Sequence, residues 1–266
     1  MNTKDDVGVS TARVCRSEWT KITSLRSSWI VLATVSVLAI GFSAAIGRGM
    51  HQAVLAGDPP PTAAQAVSAA FVPLDILTLV VGVFGVLQMS GEYGTGLIRA
   101  TLTSVPRRVP VLVAKAAALV ALTLPVMLLV SVASFGICQA FLAGDGTSPG
   151  AAGVPGAIIG AGVAPVLMGL LGLGLGTALR STAASITTLV GALFVGPAIV
   201  AQALPTHLRD DLMRFVPTVA DQAMYGLDGK GTPFPTFSPA VSALVMVGWV
   251  VLLLAVGTVV LRDRDA

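Results

Sequence analysis

Residues 89–108 read MSGEYGTGLIRATLTSVPRR. The stretch follows one long apolar run and precedes another, and its reading decides what those runs are. Gly94 and Gly96 break helix early. From 97 to 105 the pattern changes: Ile98, Leu102 and Val105 share one helical face, while Arg99 and Thr103 turn elsewhere. Pro106 stops the helix, and Arg107 and Arg108 follow at the level of lipid headgroups. The expectation is a short amphipathic helix lying across the ends of two membrane-spanning segments.

Composition supports those spans. The 266 residues are 55% hydrophobic and 11% charged, against about 25% charged for a soluble domain. Mean hydropathy is +0.88. Apolar residues come in blocks, and about 20 of them in a row cross a bilayer. The pI near 9.2 would suggest nucleic acid in a soluble protein. Here the basic residues flank apolar runs, which points to the membrane surface and away from nucleic acid.

The fold expected is therefore all-α and polytopic, with six spans at roughly 29–46, 71–89, 111–142, 156–179, 185–204 and 240–261. Residues 1–12 are read as a disordered tail and 13–266 as a single transmembrane domain. Some 28 polar or mixed residues precede the first span, so no signal peptide is expected there. The third run is too long for one untilted crossing. Lys115 near its start suggests first turns outside the hydrocarbon, and Pro125 is a place for a kink.

Lysine and arginine set the orientation. With the N-terminus inside, the inner segments hold Lys4, Arg13, Arg16, Lys21, Arg26, Arg99, Arg107, Arg108, Lys115, Arg180, Arg262 and Arg264, which is 12 of the 16. The outer segments hold the other 4: Arg48, Arg209, Arg214 and Lys230. This split predicts both termini and the opening stretch on the cytoplasmic side of the plasma (inner) membrane. Residues 47–70 and 143–155 then become external loops, and 205–239 the largest external segment. Within it Thr206 is a candidate helix cap, Leu208, Leu212 and Phe215 fall at helical spacing, and Thr218 is a candidate cap for a second turn. A short amphipathic helical hairpin on the outer surface is predicted.

The pairs Gly156/Gly160 and Gly172/Gly176 have the four-residue spacing that lets helices approach closely. Cys15 and Cys138 do not make a disulfide framework. Near the N-terminus, Trp19, Ile22, Arg26 and Trp29 fall at helical spacing. That predicts an interfacial helix with its apolar side chains toward lipid and Lys21 and Arg26 toward anionic headgroups.

Catalytic chemistry is sparse. Both histidines, His51 and His207, fall in external segments, and no His-Glu-x-x-His zinc motif occurs. Asp75 is the one carboxylate within the spans as drawn, and an intramembrane acid is a functional candidate. An interfacial residue hydrogen-bonded to a neighbouring helix is the plainer account of it. There is no Gly-x-x-x-x-Gly-Lys-Ser/Thr loop, and "DGKGT" at 228–232 has the wrong spacing. No polar segment exceeds about 35 residues, too little for an ATPase domain. If ATP drives this protein, another subunit must bind it.

Four stretches carry a family resemblance: "SEWTKITSLRSSW" at 17–29, "GEYGTGLIRATLTSVPRR" at 91–108, "LGTALRSTAAS" at 175–185 and "FVPTVADQAMYG" at 215–226. Together they resemble the type-2 class of ABC transporter permeases, in its compact six-span actinobacterial form. The second stretch is the most specific, with a Glu and a Gly-Thr step ahead of a coupling helix. Its Glu-to-Gly-Thr spacing is shorter than in many wider family members, which leaves the pairing partner of Glu92 open.

The resemblance implies a permease subunit of an ATP-driven exporter, with no enzyme activity of its own. A second permease copy, identical or homologous, and separate ABC ATPase subunits holding ATP and magnesium would complete it. It also implies that Glu92, Gly94, Thr95 and Gly96, with Ile98, Arg99, Leu102 and Val105, couple to the ATPase. The exported substrate is not written in the residues: drug, lipid-linked intermediate, peptide and secondary metabolite all fit. A secondary transporter or channel, and a membrane assembly partner without transport, remain alternatives.

Overall fold

The computed structural model describes residues 11–95, 108–227 and 234–263. Gly96, Ile98, Arg99, Leu102 and Val105 of the expected coupling segment lie outside the described residues, as do residues 1–10 of the expected tail.

The chain is an all-α polytopic membrane protein. Its helices are α1 (Thr11–Ser24), α2 (Arg26–Leu55), α3 (Ala63–Phe71), α4 (Leu74–Thr95), α5 (Arg108–Phe141), α6 (Val154–Leu179), α7 (Thr182–Val190), α8 (Gly196–Ala203), α9 (Thr206–Met213), α10 (Pro217–Ala223) and α11 (Pro239–Asp263), with a π-helical turn at Gly191–Val195. Among the described residues, six helical stretches are long and apolar enough to cross a membrane: α2, α3 with α4, α5, α6, α7 through α8, and α11.

The fourth span, α6, is apolar on every side, and a helix with no polar face belongs in a core. It sits in the middle of the bundle against α4, α5 and α11, with 72% of its most apolar stretch buried. The first, fifth and sixth spans turn large side chains outward, among them Ile30, Val37, Leu244 and Val251. Such a surface suits hydrocarbon chains.

Backbone contact explains why α4 and α6 pack so closely. A Cβ on Gly85 would run into the backbone of Gly169, and one on Gly172 into the backbone of Gly82. The predicted Gly172/Gly176 pair lies on this seam, with Gly176 against Val86. Of the other pair, Gly160 sits under the Met224 carbonyl, while Gly156 has no neighbour within 4 Å of where a Cβ would be.

Several boundaries differ from the sequence reading. The segment 47–70 is not a continuous loop: α2 runs on to Leu55, and α3 starts at Ala63 behind a capping box formed by Thr62 and Gln65. The second span is divided at Val72 and Pro73 and then continues to Thr95, so Gly94 and Thr95 are still helical. The third span is one helix of 34 residues with Pro125 inside it. The fifth span is interrupted by the π turn, just ahead of Pro197. Proline lacks the N–H that would bond the carbonyl four residues back. That carbonyl, Leu193 O, instead accepts from Thr218 Oγ1 at 3.3 Å.

The two helices of the predicted hairpin are present as α9 and α10, but their caps are not those expected. Pro205 precedes α9, so Thr206 is its first helical residue, and Val216 precedes α10. The Thr218 hydroxyl is the donor to Leu193.

Candidate functional site

Four charged side chains meet where α1, the last turn of α4 and the first turns of α5 come together. Lys115 Nζ donates to Glu18 Oε2 at 2.6 Å and to Glu92 Oε1 at 2.8 Å. Lys21 Nζ donates to Glu18 Oε1 at 2.7 Å and to Glu92 Oε1 at 3.1 Å. Two carboxylates and two ammoniums cancel. Lys115 and Glu18 are almost fully buried, at 4% and 3% exposure, whereas Lys21 keeps 39%.

The local sequence produces this meeting point. Val14, Glu18 and Ile22 recur every four residues along α1 and form its buried face. Val14 packs on Val111 and Ala114 of α5, which closes water off from the adjoining Glu18–Lys115 pair. A buried charge is tolerated only when paired and hydrogen-bonded, and here every charge has two opposite partners.

Burial opposes ionisation of Glu18. The Lys115 charge and the bonds from Lys115 and Lys21 outweigh it and hold the carboxyl below the usual range. Burial likewise opposes the Lys21 charge, and the bonds and charges of Glu18 and Glu92 outweigh it, so its ammonium titrates above its ordinary value.

The same turn of α4 makes two further ties, and one of them leads on to α11. Ser90 Oγ accepts from Thr182 Oγ1 of α7 at 2.9 Å. The Arg180 guanidinium stands 5.4 Å from the centre of the Tyr93 ring, the geometry of a cation–π contact. Arg180 ends α6 in a left-handed conformation, φ 54°, and its Nη2 donates to Val260 O of α11 at 2.7 Å. Three neighbouring residues of α4 thus bind it to α1, α5, α7 and the α6 terminus, and through Arg180 to α11. Immediately after this turn comes the segment 96–107.

Measured against the sequence reading, Glu92 has its partner: two lysines of the same chain. Ile22 is buried instead of facing lipid, because it shares a face with Glu18. Trp19 and Trp29 are half-exposed. The Trp29 indole donates to Thr23 O at 2.8 Å and closes the corner between α1 and α2. Lys115, expected in turns outside the hydrocarbon, is buried within the protein and paired. Glu18, Tyr93 and Ser90 were missed. The one available signal for Glu18 was its place four residues from both Val14 and Ile22.

Asp75 lies at the opposite end of α4. Its Oδ1 accepts from the Tyr225 hydroxyl at 2.7 Å, and Asp221 of α10 is buried close by. A cavity of about 20 Å³ adjoins, lined by Ser68, Val72, Asp75, Gln222, Tyr225 and Gly226. It has room for about one water.

The fold defines the class, a multi-pass helical membrane protein. No protein-family model matches the chain, and no curated protein matches it. Among the described residues no group of three or more His, Cys, Asp or Glu is placed to hold a metal ion.

Proposed function

We propose that the chain is the membrane-spanning subunit of an ATP-driven exporter, working with a separate ATPase subunit and a second permease copy. The observation that carries this is the last turn of α4. A push on the segment that follows it would reach the turn first. From there ion pairs, a hydrogen bond and a cation–π contact lead to α1, α5, α7 and the end of α6, and through Arg180 to α11. Chains of contacts of this sort carry coupling between sites when their elements move as rigid bodies. Residues 92–105 are the contact for the ATPase, with Ile98 and Leu102 as its buried centre and Arg99 at the rim. ATP and magnesium belong to the partner. In this reading both termini face the cytoplasm, and the α9–α10 hairpin faces outward across the plasma (inner) membrane.

The test is purification from native membranes. An ATP-hydrolysing polypeptide should be recovered with the wild-type chain and lost with Leu102→Asp, which puts a charge at the centre of the contact. Normal membrane insertion of the variant is the control. Equal recovery with both proteins argues against the coupling role.

A secondary transporter draws its support from the Asp75–Tyr225–Asp221 group, since buried acids mark proton pathways. Uptake or efflux driven by a pH gradient without ATP would favour that alternative.

A further inference from the structure

The hairpin end holds a buried acid that the coupling account does not use. Asp221 is 2% exposed, and its Oδ1 is buried with no hydrogen-bond donor among the described residues. The neighbouring acid, Asp75, differs, because the Tyr225 hydroxyl donates to it at 2.7 Å. A buried carboxylate oxygen without a donor disfavours the ionised form, and a nearby like charge disfavours it further. Burial and the Asp75 charge both push the Asp221 carboxyl well above its usual range.

Among the described residues the surroundings supply no compensating cation. Asp75 is the titratable group that reaches Asp221 from α4, and Tyr225 follows α10 itself. The described parts of α3, α6, α8 and the π turn contain no titratable residue, and those of α11 lie at its far end, Arg262 and Asp263. On α9 and at its C-cap, Arg209 pairs with Asp210 and Arg214 with Asp211, while His207 completes the set.

The element carrying Asp221 packs into the bundle through Val219, Ala220, Ala223, Met224 and Tyr225, all of them buried. Met224 O lies on the bare face of Gly160, Thr218 reaches Leu193 O, and the Trp249 indole donates to Phe215 O at 2.8 Å. Tyr225 meets the Phe71 ring edge-on at 6.0 Å.

We propose that a single proton on Asp221 latches the α9–α10 hairpin to the Asp75 end of the second span, and that loss of this proton releases it. The sign follows from linkage. The free hairpin's carboxyl has an ordinary value, about 3.9, and the docked one a higher value. Docking is strongest below the free value. It weakens by about tenfold per pH unit above it, until the docked group itself ionises. Alkaline conditions open the latch and acid closes it. No ATPase partner is needed for this behaviour.

The test is infrared spectroscopy of the full-length protein in lipid, titrated from neutral to alkaline pH. The protonated-carboxyl C=O stretch should be present at neutral pH and absent in Asp221→Asn. Trp249 emission, isolated as the signal lost in Trp249→Phe, should shift as the band disappears in the wild type and stay constant in Asp221→Asn. In Asp75→Asn, which keeps an acceptor for Tyr225, the band should titrate at lower pH because the repelling charge is gone. This last variant carries the test if Asp221→Asn fails to fold. A band that persists in Asp221→Asn, a band unmoved in Asp75→Asn, or Trp249 emission constant across the alkaline range overturns the proposal.

Discussion

The Lys115 ammonium lies 2.6 Å from Glu18 Oε2, although the two residues are 97 positions apart in the chain. The pair fixes α1 to α5 in the most buried part of the charged cluster. Removing one member leaves the other charge buried and short of a partner, at about 3–5 kcal/mol. Lys115→Met should therefore destabilise the protein by that amount, and Glu18→Gln by a similar one. The double variant should recover much of the loss, with a coupling energy of at least about 1 kcal/mol. Denaturation of the four proteins in detergent measures it, and simple additivity contradicts the arrangement.

The same cluster predicts a pH window. Glu18 is held below its ordinary value, so its contribution is present above the unfolded carboxylate range and is lost as pH falls through the depressed value. Lys21 titrates above its ordinary value. Its contribution is present below the unfolded lysine value and is lost as pH rises through the folded one. Between these limits the cluster is intact. On acidification the wild-type melting temperature should fall more steeply than that of Glu18→Gln. Parallel curves would show that Glu18 is not titrating in the cluster.

Glycines of the same helices should respond in opposite ways. Gly85→Val forces a side chain into the Gly169 backbone, and overpacking of this kind costs about 1–3 kcal/mol or more. Gly156→Ala meets nothing within 4 Å and should stay within about 0.5 kcal/mol of wild type or gain slightly from helix propensity. Yields and melting temperatures of the two variants check this.

Sidedness is tested by single cysteines in a Cys15→Ser, Cys138→Ser background. An impermeant thiol reagent applied to intact cells should label Asp58→Cys in the exposed α2–α3 loop and leave Thr103→Cys untouched. The reverse labelling would invert the proposed orientation.

Much of the bundle was legible in the sequence because lipid leaves so few solutions. A run of apolar residues with no internal charge must be a helix satisfying its own backbone, so the six spans could be counted from residue type alone. Their ends could not. Gly94 is a poor helix residue, yet α4 passes through it because Ser90, Glu92 and Tyr93 are all tied to neighbouring elements. The π turn was hidden for a similar reason: Pro197 shows that a carbonyl loses its donor, but not that Thr218 will supply one.

Within the site, Lys115 reads as a headgroup lysine until Glu18 and Glu92 are brought to it from distant parts of the chain. Ile22 and Glu18 share a face by spacing, but a glutamate on a helix face ordinarily signals water. Only the fold shows that face turned inward. Asp75 was found as an isolated acid, and its neighbours Asp221 and Tyr225 come from a segment nearly 150 residues later.

The most direct test of the coupling account is photo-crosslinking from position 102. A photoreactive residue in place of Leu102, in the otherwise intact chain in native membranes, should crosslink to an ATP-binding polypeptide carrying a Gly-x-x-x-x-Gly-Lys-Ser/Thr loop. The same residue placed at Asp58 should not. Crosslinks from position 102 to lipid alone, or to another copy of this chain alone, would contradict the account.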